Sequence, residues 1–142
     1  METQLTGEVL VPGEATGKLL VSQDPLSFWG GYDAVSGEII DRRHPLSGVI
    51  GAGCILAIPG TRGSSTTTAV LIEAFRLGTA PAGFLVTDRD TFLSLAAVVA
   101  DEMYQQAVPV FMLTVDAFQQ LAAGHQVHLS GDGEVSIDDG GV

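Results

Sequence analysis

The sequence predicts a single mixed α/β domain, and three observations support this fold class. The chain has 142 residues, which is enough for one hydrophobic core. Apolar residues make up 46% of the chain, which excludes a disordered protein. Along the chain come strands, a long irregular segment, alternating strands and helices, and a closing hairpin, an order that favours some parallel pairing.

The N-terminal part predicts two strands followed by a long loop. Residues 4–11 and 18–22 read as strands around the breaker-rich turn at 12–17. Residues 23–53 have little periodicity, and so long an irregular segment in a compact domain is usually functional or disordered. The aromatic residues at 28–32 argue against disorder. Within this loop, Ile39 and Ile40 are expected to form a short strand.

The second half of the chain predicts alternating strands and helices. Residues 55–58 read as a buried strand, and residues 69–77 as an amphipathic helix that Gly78 ends. Further elements are predicted in order: a strand at 83–87, a helix at 91–105, a strand at 108–113 with Pro109 at a sheet edge or at its own start, a helix at 116–122, a hairpin of 126–129 with 134–137, and a frayed tail from about 138. The apolar face of the second helix is predicted to consist of Leu93, Ala96, Ala97, Ala100 and Met103.

Charge and cysteine content exclude several classes of partner. The net charge of −11 makes nucleic acid and anionic membranes poor partners. No apolar run reaches transmembrane length and no basic, apolar leader begins the chain, so a cytoplasmic location is expected. The single cysteine, Cys54, excludes an internal disulfide and an iron–sulfur cluster held by this chain alone. At the start of an apolar strand, Cys54 is expected to be buried and unreactive.

The segment between the predicted strand at 55–58 and the helix after it points to chemistry. It holds Arg62, Gly63 and five consecutive hydroxyl residues at 64–68. A helix N-terminus presents free N–H groups and partial positive charge, which favour a carboxylate, a phosphate or a developing alkoxide. The Arg62 guanidinium is a planar donor suited to a carboxylate. The alternative is that Ser64 or Ser65 only caps the helix, and the lysine of a phosphate-binding P-loop is missing.

The other polar clusters give no complete catalytic set. His44 follows Asp41, Arg42 and Arg43, which predicts either a salt-bridge cluster within the loop or a contact with substrate or partner. His125 and His128 are expected at the surface. The acidic residues near the predicted second helix read as helix-flanking charges: Asp88, Asp90, Asp101 and Glu102. The chain therefore looks like one half of an active site.

Four segments together carry a resemblance to one family. They are residues 22–31, 37–46, 59–65 and 78–82, and the likeness extends over about residues 5–137. They resemble the small, swivelling subunit of aconitase X-type hydro-lyases. The resemblance implies an aconitase-like swivelling β/β/α domain over residues 1–142, with a functional loop at about 23–53. It also implies a large catalytic subunit that holds iron or an iron–sulfur cluster, while this chain holds no metal.

The resemblance also assigns roles to residues. The serine directly after Arg-Gly is Ser64, whose role would be that of a base, acting as an alkoxide on the carbon next to a substrate carboxylate. The residues expected to contact the substrate are Arg62, Gly63, Ser65, His44 and Ser27. Many relatives have glycine before the arginine, and here Thr61 replaces it.

The family's known activities dehydrate cis-3-hydroxy-L-proline or 5-phosphomevalonate. The first is favoured because the composition, with one lysine, looks mesophilic and offers few cations for a phosphate. A stand-alone module that binds a small carboxylate is the alternative of another class. Phosphoryl transfer by a related swivelling domain is disfavoured, because Leu95 falls where the phosphorylated histidine would be.

Overall fold

A computed structural model describes residues 2–138, which form strands and helices in an order close to the predicted one. The strands are β1 (Glu2–Thr6), β2 (Glu8–Val11), β3 (Ala15–Val21), β4 (Leu26–Ser27), β5 (Ile55–Ala57), β6 (Thr61–Arg62), β7 (Gly83–Val86), β8 (Val110–Met112), β9 (Gln126–Leu129) and β10 (Glu134–Asp138). The helices are α1 (Ser65–Leu77), α2 (Thr91–Tyr104) and α3 (Val115–Gln119).

The main sheet mixes parallel and antiparallel pairing. Its strand order is β1-β10-β9-β3-β5-β7-β8-β2, and β4 pairs separately with β6. Strands β3, β5, β7 and β8 are parallel, as the alternating strand–helix order predicts. Strands β1 and β2 lie at opposite ends of this order although only Gly7 separates them. The two edges of the sheet therefore approach each other at Gly7, whose N–H donates to the Gly133 carbonyl at 2.8 Å.

The parallel strands are buried on both faces, so the fold has three layers. Side chains alternate between two cores along each strand, as the period of two requires. One core lies between the sheet and the helices and includes Leu20, Leu56, Phe84, Leu71, Phe75 and Leu93. The other lies under β9 and β10 and includes Leu19, Ile55, Leu85, Val127, Val135 and Phe118 of α3. This β/β/α arrangement is the predicted fold class.

The long segment at 23–53 is irregular, as predicted, yet it packs on the helix-side core. Phe28, Tyr32 and Ile39 are buried, and the Tyr32 O–H donates to the Thr79 carbonyl at 2.6 Å. The predicted strand at Ile39 and Ile40 is wrong. Only isolated bridges form there, because the chain turns back through Gly48, whose N–H donates to the Ile39 carbonyl at 2.7 Å, and Ile40 is exposed.

Three predicted strands differ from the structure in detail. Strand β3 begins at Ala15, inside the turn predicted at 12–17, because it pairs with β9 from that residue onward. The strand predicted at 4–11 is broken at Gly7, because β1 pairs with β10 while β2 pairs with β8. Strand β8 begins just after Pro109 and lies inside the sheet, so the proline precedes the strand and does not mark an edge.

Both long helices match their predictions apart from α1's start and one side chain. Helix α1 begins at Ser65, four residues earlier than expected, since the Thr67 and Thr68 hydroxyls donate to carbonyls outside the helix. Met103 is 61% exposed because Tyr104 takes its place against the core at the end of α2. The predicted tail lies outside the described residues apart from Asp138. Within the described residues, no helix is long and apolar enough to cross a membrane.

Candidate functional site

The predicted site loop lies at the carboxyl ends of the parallel strands. Residues 22–24 follow β3, residues 59–64 follow β5, and residues 87–90 follow β7. In α/β sheets this edge is where ligands bind, because the strand–helix connections and the helix N-termini meet there.

An open cleft of about 560 Å³ lies at this edge. It is lined by Asp24, Pro25, Asp41, Arg43, His44 and Arg62. The long loop therefore contributes most of its walls, and the segment before α1 contributes Arg62. Two carboxylates face the same space as two guanidinium groups, so the lining is polar and mixed in charge.

Two attachments hold the backbone around Arg62, and a glycine in a left-handed conformation follows it. Strand β6 pairs in parallel with β4, so that Arg62 lies beside Ser27 in register. The Thr67 hydroxyl, buried in α1, donates to the Arg62 carbonyl at 2.9 Å. The next residue, Gly63, has φ +108°, in the region that favours glycine, and a Cβ there would lie 3.0 Å from the Thr67 Oγ1. The loop geometry thus requires glycine between Arg62 and Ser64.

Ser64 is the residue immediately before α1, and it is exposed. It occupies the N-cap position, but its side chain makes no capping hydrogen bond; its carbonyl instead accepts from the Thr67 N–H at 3.0 Å. The interpretation of Ser64 as a capping side chain therefore does not describe this geometry. Ser65 is the first residue of α1 and is also exposed. Both residues stand at the N-terminal end of a 13-residue helix, the end that carries free N–H groups.

Asp90 is a site residue whose full role sequence reasoning missed. It was expected only to flank α2, and it does cap that helix, accepting from the Leu93 N–H at 3.0 Å. Its Oδ2 also accepts from the Thr61 N–H at 2.7 Å and from the Thr61 hydroxyl at 2.6 Å. Thr61, where the resemblance expects glycine, thus uses its hydroxyl to bind Asp90. The two residues are 29 positions apart, so spacing gives no signal of this pair.

Residues 4–137 match the family of aconitase X swivel domains. The chain belongs to this family. The resemblance drawn from the four sequence segments is therefore confirmed, and so is the swivel-domain fold.

Named relatives of the swivel domain fall into two groups. It is 45% identical over 128 residues to the cis-3-hydroxy-L-proline dehydratase of Pseudomonas aeruginosa, a match to 90% of this chain and 22% of that protein. It is 41% identical to the protein of the same name from Hypocrea jecorina, so the chain spans about a fifth of the length of these two relatives. It is also 37% identical to the phosphomevalonate dehydratase small subunit of Methanopyrus kandleri, covering 92% of this chain and 91% of that one.

A solved structure matches the whole fold of the swivel domain. The holo-form of Thermococcus kodakaraensis aconitase X superposes with a TM-score of 0.84 at 29% identity, covering 96% of this chain and 99% of that one. The similarity in fold therefore extends beyond the loop before α1 to every layer of the domain.

His44 of the swivel domain lines the cleft but uses its ring to brace the loop. It is buried, and its Nδ1 accepts from the Leu46 N–H at 3.1 Å. The proton is therefore on Nε2, which donates to the Asp24 carbonyl at 3.2 Å, with the Ser22 hydroxyl 3.4 Å away. Contact between His44 and a substrate stays a prediction.

Ser27 lies beside Arg62 and faces its own loop. Its hydroxyl donates to the Trp29 carbonyl at 3.1 Å, and the Trp29 side chain is 67% exposed. Arg42 and Arg43 are exposed, and the Arg43 N–H donates to the Asp41 carboxylate at 3.0 Å. The predicted loop cluster thus presents arginines and a tryptophan outward. That Ser27, Gly63 or Ser65 contacts a substrate also stays a prediction.

The donor set of the swivel domain does not fit iron or an iron–sulfur cluster. Among residues 2–138 no three His, Cys, Asp or Glu side chains lie close enough together to hold a metal ion. Cys54 is half-buried, and burial raises the pKa of its thiol, which disfavours the thiolate that a metal would need.

Proposed function

We propose that this chain is the small, swivelling subunit of an aconitase X-type dehydratase and that Ser64 is its catalytic base. One observation carries the proposal: Ser64 stands at the N-terminus of α1 with a hydroxyl that makes no capping bond, two residues after an arginine that lines the cleft. Membership of the swivel-domain family and relatives named as dehydratases support it.

The reaction that this site suits is the removal of water from a hydroxylated carboxylate. Ser64 Oγ takes the proton from the carbon next to the carboxylate, the electron pair of that C–H bond forms the double bond, and the hydroxyl on the neighbouring carbon leaves with its bonding pair as hydroxide. The hydroxide takes up a proton from solvent to become water, and Ser64 releases its proton to solvent. Arg62 would hold the carboxylate through two parallel hydrogen bonds and so present the carbon to Ser64.

A serine alkoxide needs stabilisation, which the end of α1 would provide. Ser64 is the N-cap residue of α1, and the free N–H groups and the positive dipole end found at a helix N-terminus would stabilise its alkoxide. In this chain Ser64 is exposed to solvent. A large partner subunit closing over the cleft would exclude water and strengthen these interactions. That partner is also proposed to hold the iron or iron–sulfur cluster, in a complex that works in the cytoplasm.

The favoured substrate is cis-3-hydroxy-L-proline. Its carboxylate and secondary ammonium group complement a cleft lined by two guanidinium groups and two carboxylates. 5-Phosphomevalonate carries negative charge at both ends and no positive group, so it would suit Arg43 and Arg62 but would leave Asp24 and Asp41 without a positive partner. The 45% and 41% identities to hydroxyproline dehydratases, against 37% to a phosphomevalonate dehydratase small subunit, favour the same substrate.

The second candidate is the small subunit of 5-phosphomevalonate dehydratase. The observation in its favour is the match to relatives of that name over 92% of this chain. A stand-alone module binding a small carboxylate is the alternative of another class, and it would use the same Arg62 and helix terminus.

The test is reconstitution with both substrates in parallel. The chain, the large subunit from its source organism and iron are combined without oxygen, and each substrate is followed separately by product formation. We expect dehydration of cis-3-hydroxy-L-proline. Turnover of 5-phosphomevalonate alone would establish the second candidate. If no large partner is found and the isolated chain binds a small carboxylate, the chain is a binding module.

A further inference from the structure

Asp90 makes more contacts than a helix cap needs. One carboxylate oxygen, Oδ1, caps α2 by accepting from the Leu93 N–H at 3.0 Å. The other oxygen is turned toward the neighbouring loop, where it accepts both donors of Thr61, the N–H at 2.7 Å and the hydroxyl at 2.6 Å. The second oxygen therefore serves the site loop and not the helix.

The contact between Asp90 and Thr61 matters because of where Thr61 lies in the site loop. Thr61 directly precedes Arg62, and the following Gly63 is the most permissive residue of the loop, at φ +108°. The other attachments of this loop come from β4, from α1 and, at Pro59, from the N–H groups of Thr87 and Asp88. Among the attachments from the connection between β7 and α2, the bonds of Asp90 to Thr61 lie nearest in sequence to Arg62.

We propose that Asp90 is a positioning residue, which acts through Thr61 to hold Arg62 and Ser64 in the geometry needed for proton removal. This inference rests on the proposed function. A group held within bonding distance of its substrate carbon loses about a hundredfold in rate when displaced by about 1 Å. Releasing Thr61 removes the attachment next to Arg62, and we expect the glycine-containing segment that follows to become more mobile.

Matched substitutions separate positioning from capping. Asp90→Asn keeps the size and the capping ability of the side chain but replaces one acceptor oxygen with a donor. Thr61→Val removes the hydroxyl bond to Asp90 and keeps the shape, while Thr61→Ser restores the hydroxyl. Thr114→Val is the control, because it makes the same chemical change at the cap of α3, where the Thr114 hydroxyl accepts from the Ala117 N–H at 3.1 Å.

The assembled dehydratase is tested for rate, and the chain for amide hydrogen exchange. We expect Asp90→Asn and Thr61→Val to lower kcat/KM by about tenfold to a hundredfold, and Thr61→Ser to stay near wild type. The double variant should be no slower than Asp90→Asn alone, since Asp90→Asn already disrupts the hydroxyl bond that Thr61→Val removes. Exchange should quicken at residues 60–66 in the two impaired variants and remain unchanged at 91–104.

Four results would overturn the inference, and the first three concern Asp90 and Thr61 themselves. They are wild-type rates in both Asp90→Asn and Thr61→Val, losses of rate that simply add in the double variant, or unchanged exchange at residues 60–66. A Thr114→Val variant as slow as Thr61→Val would also overturn it, by showing that lost stability alone lowers the rate. If the wild-type complex dehydrates neither substrate, the proposed function fails, and the exchange of the loop still decides whether Asp90 holds it.

Discussion

At the scale of single residues, Arg62 is the side chain on which substrate orientation depends most. It lines the cleft from β6 and lies two residues before the proposed base. We expect Arg62→Lys to lower kcat/KM by about tenfold to a thousandfold, equivalent to roughly 1.4–4 kcal/mol of transition-state binding, because lysine cannot form the paired hydrogen bonds. Steady-state kinetics of the assembled enzyme measure this loss.

Arg76 supplies the control for Arg62. It lies in the last turn of α1, where it is exposed and pairs with Glu73. Arg76→Lys makes the same chemical change away from the cleft, so its kinetics should match wild type. An Arg62→Lys enzyme as active as Arg76→Lys would show that Arg62 only braces its loop.

Tyr32 predicts how stability depends on alkaline pH. Burial, with a smaller effect of Cys54, raises the pKa of its phenol well above the ordinary value. The unfolded chain releases this proton at a lower pH than the folded chain does. The stability that the protonated phenol contributes is therefore complete below a pH of about 10 and is lost as the pH rises further. We expect the melting temperature to fall above that pH, and to fall less steeply in Tyr32→Phe.

The same variant should be less stable at neutral pH. Tyr32→Phe removes the hydrogen bond to the Thr79 carbonyl, which contributes about 1 kcal/mol. The chain's other tyrosine gives the control, Tyr104→Phe. Equal alkaline slopes in wild type and Tyr32→Phe would contradict the assignment of this loss to Tyr32.

At the scale of elements, the long loop at 23–53 is predicted to meet the partner subunit. Its buried side chains anchor it to the core, while Trp29 is 67% and Val35 78% exposed. Exposed aromatic residues beside arginines are typical anchors of interfaces. We expect Trp29→Ala to weaken assembly by at least about 2 kcal/mol, roughly thirtyfold in Kd, measured by titration of one subunit with the other.

Val115 tests whether exposure alone explains such a loss. It is 63% exposed at the first position of α3 and is not part of the loop at 23–53, so Val115→Ala should assemble normally. Amide exchange at residues 23–46 should slow when the partner is added. Unchanged exchange there, or equal effects of the two variants, would place the interface elsewhere.

The sequence predicted strands and helices well where neighbouring residues alone determine them. The apolar run at 55–58 predicted β5, and the amphipathic pattern that Gly78 ends predicted most of α1. These two predictions placed Ser64 at the start of a helix. Contacts between distant parts of the chain were not predictable. The break at Gly7 depends on two partner strands far along the chain, and the bond between Asp90 and Thr61 spans 29 residues.

At the scale of the whole molecule, the chain is expected to fold alone and to be inactive alone. Two hydrophobic cores support independent folding. The described residues hold no group fitted to a metal, and the cleft is open on the side where a partner would close it. Purified chain should therefore melt cooperatively yet show no turnover until the large subunit and iron are added. Turnover by the metal-free isolated chain would contradict this division of labour.

The role of Ser64 is the central claim, and one comparison of variants in the assembled enzyme tests it most directly. Ser64→Ala should abolish measurable dehydration, since loss of a general base lowers rates by at least about a hundredfold, while assembly and melting temperature stay unchanged because the side chain makes no capping bond. Ser65→Ala, one residue further into α1, should retain most of the rate. A Ser64→Ala enzyme with a near-normal rate and a lowered melting temperature would contradict the account and return Ser64 to a structural role.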